Sequence, residues 1–194
     1  MKKIKNIKGF TLMELLVVIA IMGAVGAIAV GIFSGTLRGG NKAKTLNSVR
    51  QDGNYAINQM AKMIAYGEKF EGVSADIPLA GAIFSDACPY SATPVSYKHI
   101  KIKQHNNSGS VIFSCDLANL TIASNGASLL EPNVRLHRNV DGTIECNFYC
   151  QRTSASVSPT INIVFKLSAL TQAGNFSESN ASVVFETSVK PRNN

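Results

Sequence analysis

From Leu15 to Leu37 the chain carries no charged side chain, an uninterrupted stretch of 23 residues. As an α-helix rising 1.5 Å per residue, about that length reaches across a hydrocarbon core of roughly 30 Å. The segment therefore reads as a single membrane-spanning helix. Lys2, Lys3, Lys5 and Lys8 precede it, and only Arg38, Lys42 and Lys44 follow closely. The positive-inside rule then favours a cytoplasmic N-terminus.

One residue resists the reading of a plain anchor. Glu14 lies at the edge of the apolar run, where a carboxylate carried toward the membrane centre costs a few kcal/mol or more unless it meets a partner. An ordinary signal peptide is the competing reading, with its lysine-rich start, its apolar stretch and small residues such as Ala27 and Ala29 near a cut. The carboxylate inside the apolar region counts against it.

The run Lys8-Gly9-Phe10-Thr11-Leu12-Met13-Glu14-Leu15-Leu16-Val17-Val18-Ile19-Ala20-Ile21 resembles the prepilin processing site shared by type IV pilins, type II secretion pseudopilins and competence pseudopilins. The resemblance covers about 30 residues closely and the remainder only in general architecture. It implies cleavage after Gly9 on the cytoplasmic side by a prepilin peptidase, then methylation of the new N-terminus at Phe10. The apolar segment is retained and becomes the polymerising element. It also implies that Glu14 meets the Phe10 amine of a neighbouring subunit, the partner a desolvated carboxylate requires. In one departure from the pattern, Gly31 stands where many filament-forming pilins have proline. Gly23, Gly26, Gly31 and Gly35 still weaken the helix, each by about 0.8–1 kcal/mol relative to alanine. Gly31, Gly35 and Gly39 also have the small-xxx-small spacing that lets membrane helices approach closely, although glycine is common in such helices anyway.

Beyond the apolar run, Leu46, Val49, Ile57, Met60 and Ile64 recur at three to four residues, with Gly53 and Ala56 on the same face. The helix is expected to continue to about Tyr66 and stop at Gly67. Met60 and Met63 read as core filler. From Tyr97 the pattern alternates: Ile100 and Ile102, Val111 and Phe113, Ile161 to Leu167, then Val183, Phe185 and Val189. Asn106-Asn107-Ser108-Gly109 and Asn125-Gly126 read as turns, and Asp141-Gly142 as a hairpin turn between Val134–Val140 and Thr143–Cys150. Residues 68–93 read as a connecting loop with room for short helical or strand pieces, and residues 171–180 as an exposed loop. The expected fold is α+β: a long N-terminal helix, half transmembrane and half amphipathic, packed on a C-terminal antiparallel sheet. Its divisions are a cleaved leader at 1–9, a transmembrane and assembly half at 10–37, an amphipathic half at 38–66 and a β-rich head at 67–194.

Four cysteines, Cys88, Cys115, Cys146 and Cys150, all fall in the head. An even count beyond a membrane segment suggests disulfides formed in an oxidising compartment. Zinc is the alternative, but there is no Cys-x-x-Cys pair and His99, His105 and His137 lack ligand spacing. Three pairings are possible. Cys146 and Cys150 share a face of one expected strand, where four residues span about 13 Å, too far for a disulfide without a turn. Pairing across segments to Cys88 and Cys115 is expected.

The formal charge is +7, but four of the nineteen basic residues lie in the leader. A product starting at Phe10 has fifteen basic against twelve acidic residues, a net charge of +3. No nucleophile elbow, phosphate loop or zinc-helix motif is present, so an enzyme is not expected, and no cofactor is implied. The expected function is structural: a minor pilin or pseudopilin of a type IV pilus, type II secretion or competence filament. The implied partners are other subunits, the prepilin peptidase, the inner-membrane assembly platform and, before assembly, membrane lipid. The chain would be single-pass in the cytoplasmic membrane and then enter an extracytoplasmic filament. The alternative is a minor pilin that captures DNA through Lys98, Lys101 and Lys103, flanking His99, together with Arg135 and Arg138. The blander reading of that run is a solvated strand edge, with Ile100 and Ile102 facing the core.

Overall fold

The computed structural model describes residues 10–77, 79–90, 95–105, 109–154, 157–170 and 182–192. Two compact units meet between Ala43 and Lys44. The expected leader, the turn at 106–108 and the loop at 171–180 lie outside the described residues.

The first unit is the opening part of one continuous helix, α1 (Leu12–Ala65). Every large apolar side chain from Phe10 to Leu37 is exposed. The helix is long and apolar enough to cross a membrane. Thr36 fits such surroundings because its hydroxyl donates to the Ile32 carbonyl at 2.9 Å, so its donor is satisfied within the helix.

In the second unit, the rest of α1 lays a stripe onto the head. Val49, Asp52, Gly53, Ala56, Ile57, Met60 and Ile64 are buried, as the three-to-four spacing expects for all but Asp52. The helix packs against antiparallel β-structure, which gives a pilin-like α+β fold. One sheet contains β1 (Lys69–Ser74), β3 (His99–Lys103), β4 (Ser110–Asp116), β5 (Thr121–Ser124) and β6 (Ala127–Ser128), in the order β1-β3-β4-β5-β6. The other contains β2 (Val95–Tyr97), β8 (Cys146–Gln151), β9 (Thr160–Ala169) and β10 (Ser182–Val189), in the order β10-β9-β8-β2, with β7 (Val134–Leu136) also on β9. All pairings are antiparallel. Alternation decides which side faces the helix: Ile161, Ile163, Phe165 and Leu167 of β9 are all buried in the core, with Phe113 and Phe148.

Several expectations need correction. The stretch 68–93 holds a short strand of the kind its reading left room for, since β1 pairs with β3 along Lys69–Ser74, but the sequence did not show where. A bulge between Phe70 and Gly72 hides the strand from a period-two pattern: Phe70 and Val73, three apart, both face the core. Gly72 has φ +137°, and a Cβ there would lie 2.6 Å from the Ser85 carbonyl oxygen. Only glycine fits that bend.

The expected hairpin at Asp141-Gly142 is also different. The turn forms, with Gly142 N–H donating to the Asn139 carbonyl at 2.9 Å, and Arg138 bridges Ile144. Yet β7 and β8 pair with β9 rather than with each other, lying in tandem along one edge of it. The nine residues 137–145 are an excursion between them. By contrast Asn125-Gly126 behaves as its dipeptide predicts, with φ of 49° and 83°, joining β5 to β6 in a primed two-residue turn.

Helix α1 does end at Ala65, followed by a turn at Tyr66. Gly67, however, is not in the left-handed conformation of a glycine cap. A Cβ there would overlap the Ile102 side chain, so close packing demands the glycine.

Candidate processing and assembly site

Gly9 lies outside the described residues, and the site begins at Phe10, whose side chain is 81% exposed. The next residues start the helix by a device the sequence reading overlooked. Glu14 N–H donates to Thr11 Oγ1 at 3.3 Å, while Thr11 N–H donates to Glu14 Oε2 at 3.2 Å. The Thr11 hydroxyl also lies 3.3 Å from Oε2. This reciprocal arrangement is a capping box, with Thr11 as N-cap and Glu14 three residues in. The T-x-x-E spacing was the signal that could have revealed it. The negative charge also complements the positive end of the helix dipole. All three contacts leave Glu14 Oε1 unused among the described residues.

The glycines of the apolar run have open surroundings. A Cβ at Gly23, Gly26, Gly31, Gly35, Gly39 or Gly40 would meet nothing within 4 Å. Packing within the single chain therefore gives no reason for them.

The cysteines form two disulfides, Cys88–Cys150 with Cα atoms 5.3 Å apart and Cys115–Cys146 at 5.8 Å. Both span segments, as the strand-length argument expected. Cys115–Cys146 ties β4 to β8 and so one sheet to the other, whereas Cys88–Cys150 fastens the chain beyond β1 to the same strand. Among the described residues no group of three or more His, Cys, Asp or Glu side chains could hold a metal ion.

The basic run does not lie on an edge, because β3 sits between β1 and β4. Ile100 and Ile102 are nevertheless buried as expected. Lys98 follows β2 and stitches the sheets together: its ammonium donates to the Cys146 carbonyl and to Asn147 Oδ1, each at 2.7 Å. Burial pushes its pKa down, since neither acceptor is charged. Lys101 pairs with Glu71 at 3.3 Å and lies 5.7 Å from the Phe84 ring centroid, and Lys103 pairs with Glu68 at 3.4 Å. The Ser110 hydroxyl donates to Glu71 at 2.6 Å and, ahead of Lys101, holds its carboxyl below the ordinary range. Arg135 lies on β7 in the other sheet, and Arg138 lies in the excursion beyond it.

His99 is buried, and its Nε2 is 2.6 Å from the Asp76 carbonyl oxygen, which can only accept. Nε2 therefore carries a proton, and Nδ1 of the neutral ring is a buried acceptor without a partner. Desolvation lowers its pKa and outweighs the opposing pull of Asp76 and Asp116.

Residues 4–30 match the family model for the prokaryotic N-terminal methylation motif. The chain carries a prepilin-type methylation motif. No curated protein and no solved structure matches the chain. The motif runs from the lysine-rich start through the capping box and well into the exposed apolar helix. Such a motif is structural rather than catalytic. With a helix able to span a membrane and a disulfide-bonded α+β head, it is consistent with a pilin-like or pseudopilin-like filament subunit.

Proposed function

We propose that the chain is a minor pilin or pseudopilin of a type IV pilus, type II secretion or competence filament. A prepilin peptidase cuts after Gly9 and methylates the Phe10 amine. The subunit waits in the cytoplasmic membrane with its N-terminus inside, in contact with lipid and the assembly platform. It then joins an extracytoplasmic filament in which Glu14 pairs with the Phe10 amine of a neighbour.

The observation that carries this reading is that the methylation motif continues directly into a helical stretch whose large apolar side chains, as far as Leu37, are all exposed. Exposed apolar surface on this scale calls for a cover, and lipid followed by the helices of other subunits supplies it in sequence. The unused Oε1 of Glu14 leaves room for a second partner. A nucleic-acid role draws less support, because Lys98, Lys101 and Lys103 each have a partner within the chain.

Mass spectrometry of the chain co-expressed with a prepilin peptidase tests the proposal. The expected product lacks the first nine residues and carries a methyl group on Phe10. A mature start near Val30 would instead restore the ordinary secretory reading and remove the filament one.

A further inference from the structure

Asp52 breaks the pattern of the helix stripe it belongs to. It is 8% exposed, and it is the only carboxylate among the described residues with a buried oxygen, Oδ2, that lacks a hydrogen-bond partner. Removing an ionised carboxylate from water without a compensating partner is strongly unfavourable. Asp52 lines a groove of about 360 Å³ between α1 and the segment after β6, together with Gln51, Tyr55, Ser128, Leu130 and Glu131. The groove holds two carboxylates, and no basic side chain lines it.

The chemistry that fits is a cation, and the groove suits a side chain better than a metal ion. Two carboxylates fall short of the three metal-binding side chains that would make a cluster, and calcium takes six to eight oxygens. The Ser128 hydroxyl is already engaged with Thr121 and the Leu130 backbone. The space is larger than a bare ion needs, and Leu130 and the exposed Tyr55 ring offer apolar surface for an aliphatic stem. Elsewhere in the head, Arg192 lies over Tyr66 at 5.0 Å in the same manner.

We propose that this groove receives a basic side chain from a second copy of the chain, with Asp52 as its buried charge partner. The inference rests on the filament reading above. The donor is Lys44, which is exposed on the same helix and has no carboxylate partner among the described residues. It precedes Asp52 by eight residues, or about 12 Å along the helix axis. Two copies lying side by side and offset by that distance bring one ammonium level with the other copy's Asp52. Arg50 would come level only for copies almost without offset, which sets like charges opposite one another along the helix. Because each copy then gives at Lys44 and receives at Asp52, the contact is head-to-tail and propagates rather than closing on itself.

The test is a double-mutant cycle on the full chain, with Asp52→Asn, Lys44→Gln and the pair. Thermal unfolding in detergent is read alongside the amount of each variant in sheared filaments at matched membrane levels. Asp52→Asn is expected to leave Tm unchanged or higher while cutting incorporation about tenfold or more, the loss typical of an uncompensated desolvated charge. Lys44→Gln should lower incorporation similarly, and the pair should lose no more than Asp52→Asn alone. Wild-type incorporation by Asp52→Asn, or losses that multiply in the pair, would overturn the proposal. So would a rise in wild-type Tm with millimolar calcium that Asp52→Asn abolishes, since a free ion would then be the occupant. Absence of the wild type itself from sheared filaments would remove the filament reading, and this inference with it.

Discussion

At Glu14 two roles meet in one carboxylate. Within the chain it closes the capping box with Thr11, and in the proposed filament it neutralises a neighbour's amine. Glutamine also serves at the third position of a capping box, whereas valine does not. Glu14→Gln therefore keeps the cap and loses the charge, while Glu14→Val loses both. If the charge is what assembly needs, both variants should be cleaved normally yet be depleted in sheared filaments. Incorporation of the glutamine variant at the wild-type level would reduce Glu14 to a helix-starting residue. Gly53 offers a contrasting case inside the head. Alanine would gain about 0.8–1 kcal/mol of helix propensity there. Its Cβ, however, would fall within the Phe185 ring, which is itself stacked on Phe165 at 5.3 Å. Overpacking of this kind costs about 1–3 kcal/mol, so Gly53→Ala should lower Tm despite the better helix former.

Among the elements, legibility followed the regularity of the pattern. Helix α1 could be read because an unbroken apolar run and then a clear three-to-four stripe specify it over its whole length. Strands β3, β9 and β10 could be read because their alternation is undisturbed. Strand β1 could not, since the bulge at Gly72 moves Val73 onto the same face as Phe70 and breaks the period. The pairing of β7 and β8 was hidden for another reason: a dipeptide specifies a turn, but which strand its flanks pair with depends on distant β9. Asp52 was passed over within a stripe read correctly at Val49, Ala56, Ile57, Met60 and Ile64 but not at Leu46, which is only half-buried, although a charge between Val49 and Ala56 was visible on that face. The cysteines were legible as far as geometry allowed, because a strand's length excluded Cys146–Cys150 while only the fold could choose between the remaining pairings. Both bonds converge on β8 and close separations of 62 and 31 residues. In the chain-entropy account each stabilises by about 4 kcal/mol. Replacing Cys115 and Cys146 together by alanine should lower Tm by roughly 7–15 °C, as measured by thermal unfolding in detergent. Detection of free thiols in exported wild-type protein under denaturing conditions would contradict the pairing.

For the molecule as a whole, the buried histidine gives the head a dependence on acidity. The ordinary pKa of His99 is 6.5, and desolvation lowers it in the folded state. Well above pH 6.5 the ring is neutral in both folded and unfolded chains. As pH falls below that value the unfolded chain takes up the proton first, so stability declines until the folded-state pKa is passed. Glu71 extends the trend, since its depressed pKa contributes stability above the carboxylate range that is lost as pH falls through its folded value. The head should therefore begin to lose stability near pH 6.5, well before its carboxylates titrate. His99→Gln should flatten the upper part of that curve, and an unchanged slope in unfolding experiments between pH 7 and 5 would count against the assignment.

The tandem seating of β7 and β8 on β9 separates length from register. Each strand is fixed by its own pairing, so residues 137–145 between them can grow or shrink without sliding either one. The fully exposed Val140 marks the tip of this excursion. An epitope or fluorophore inserted there should leave the sheet intact and turn the head into its own reporter, visible wherever the subunit is carried.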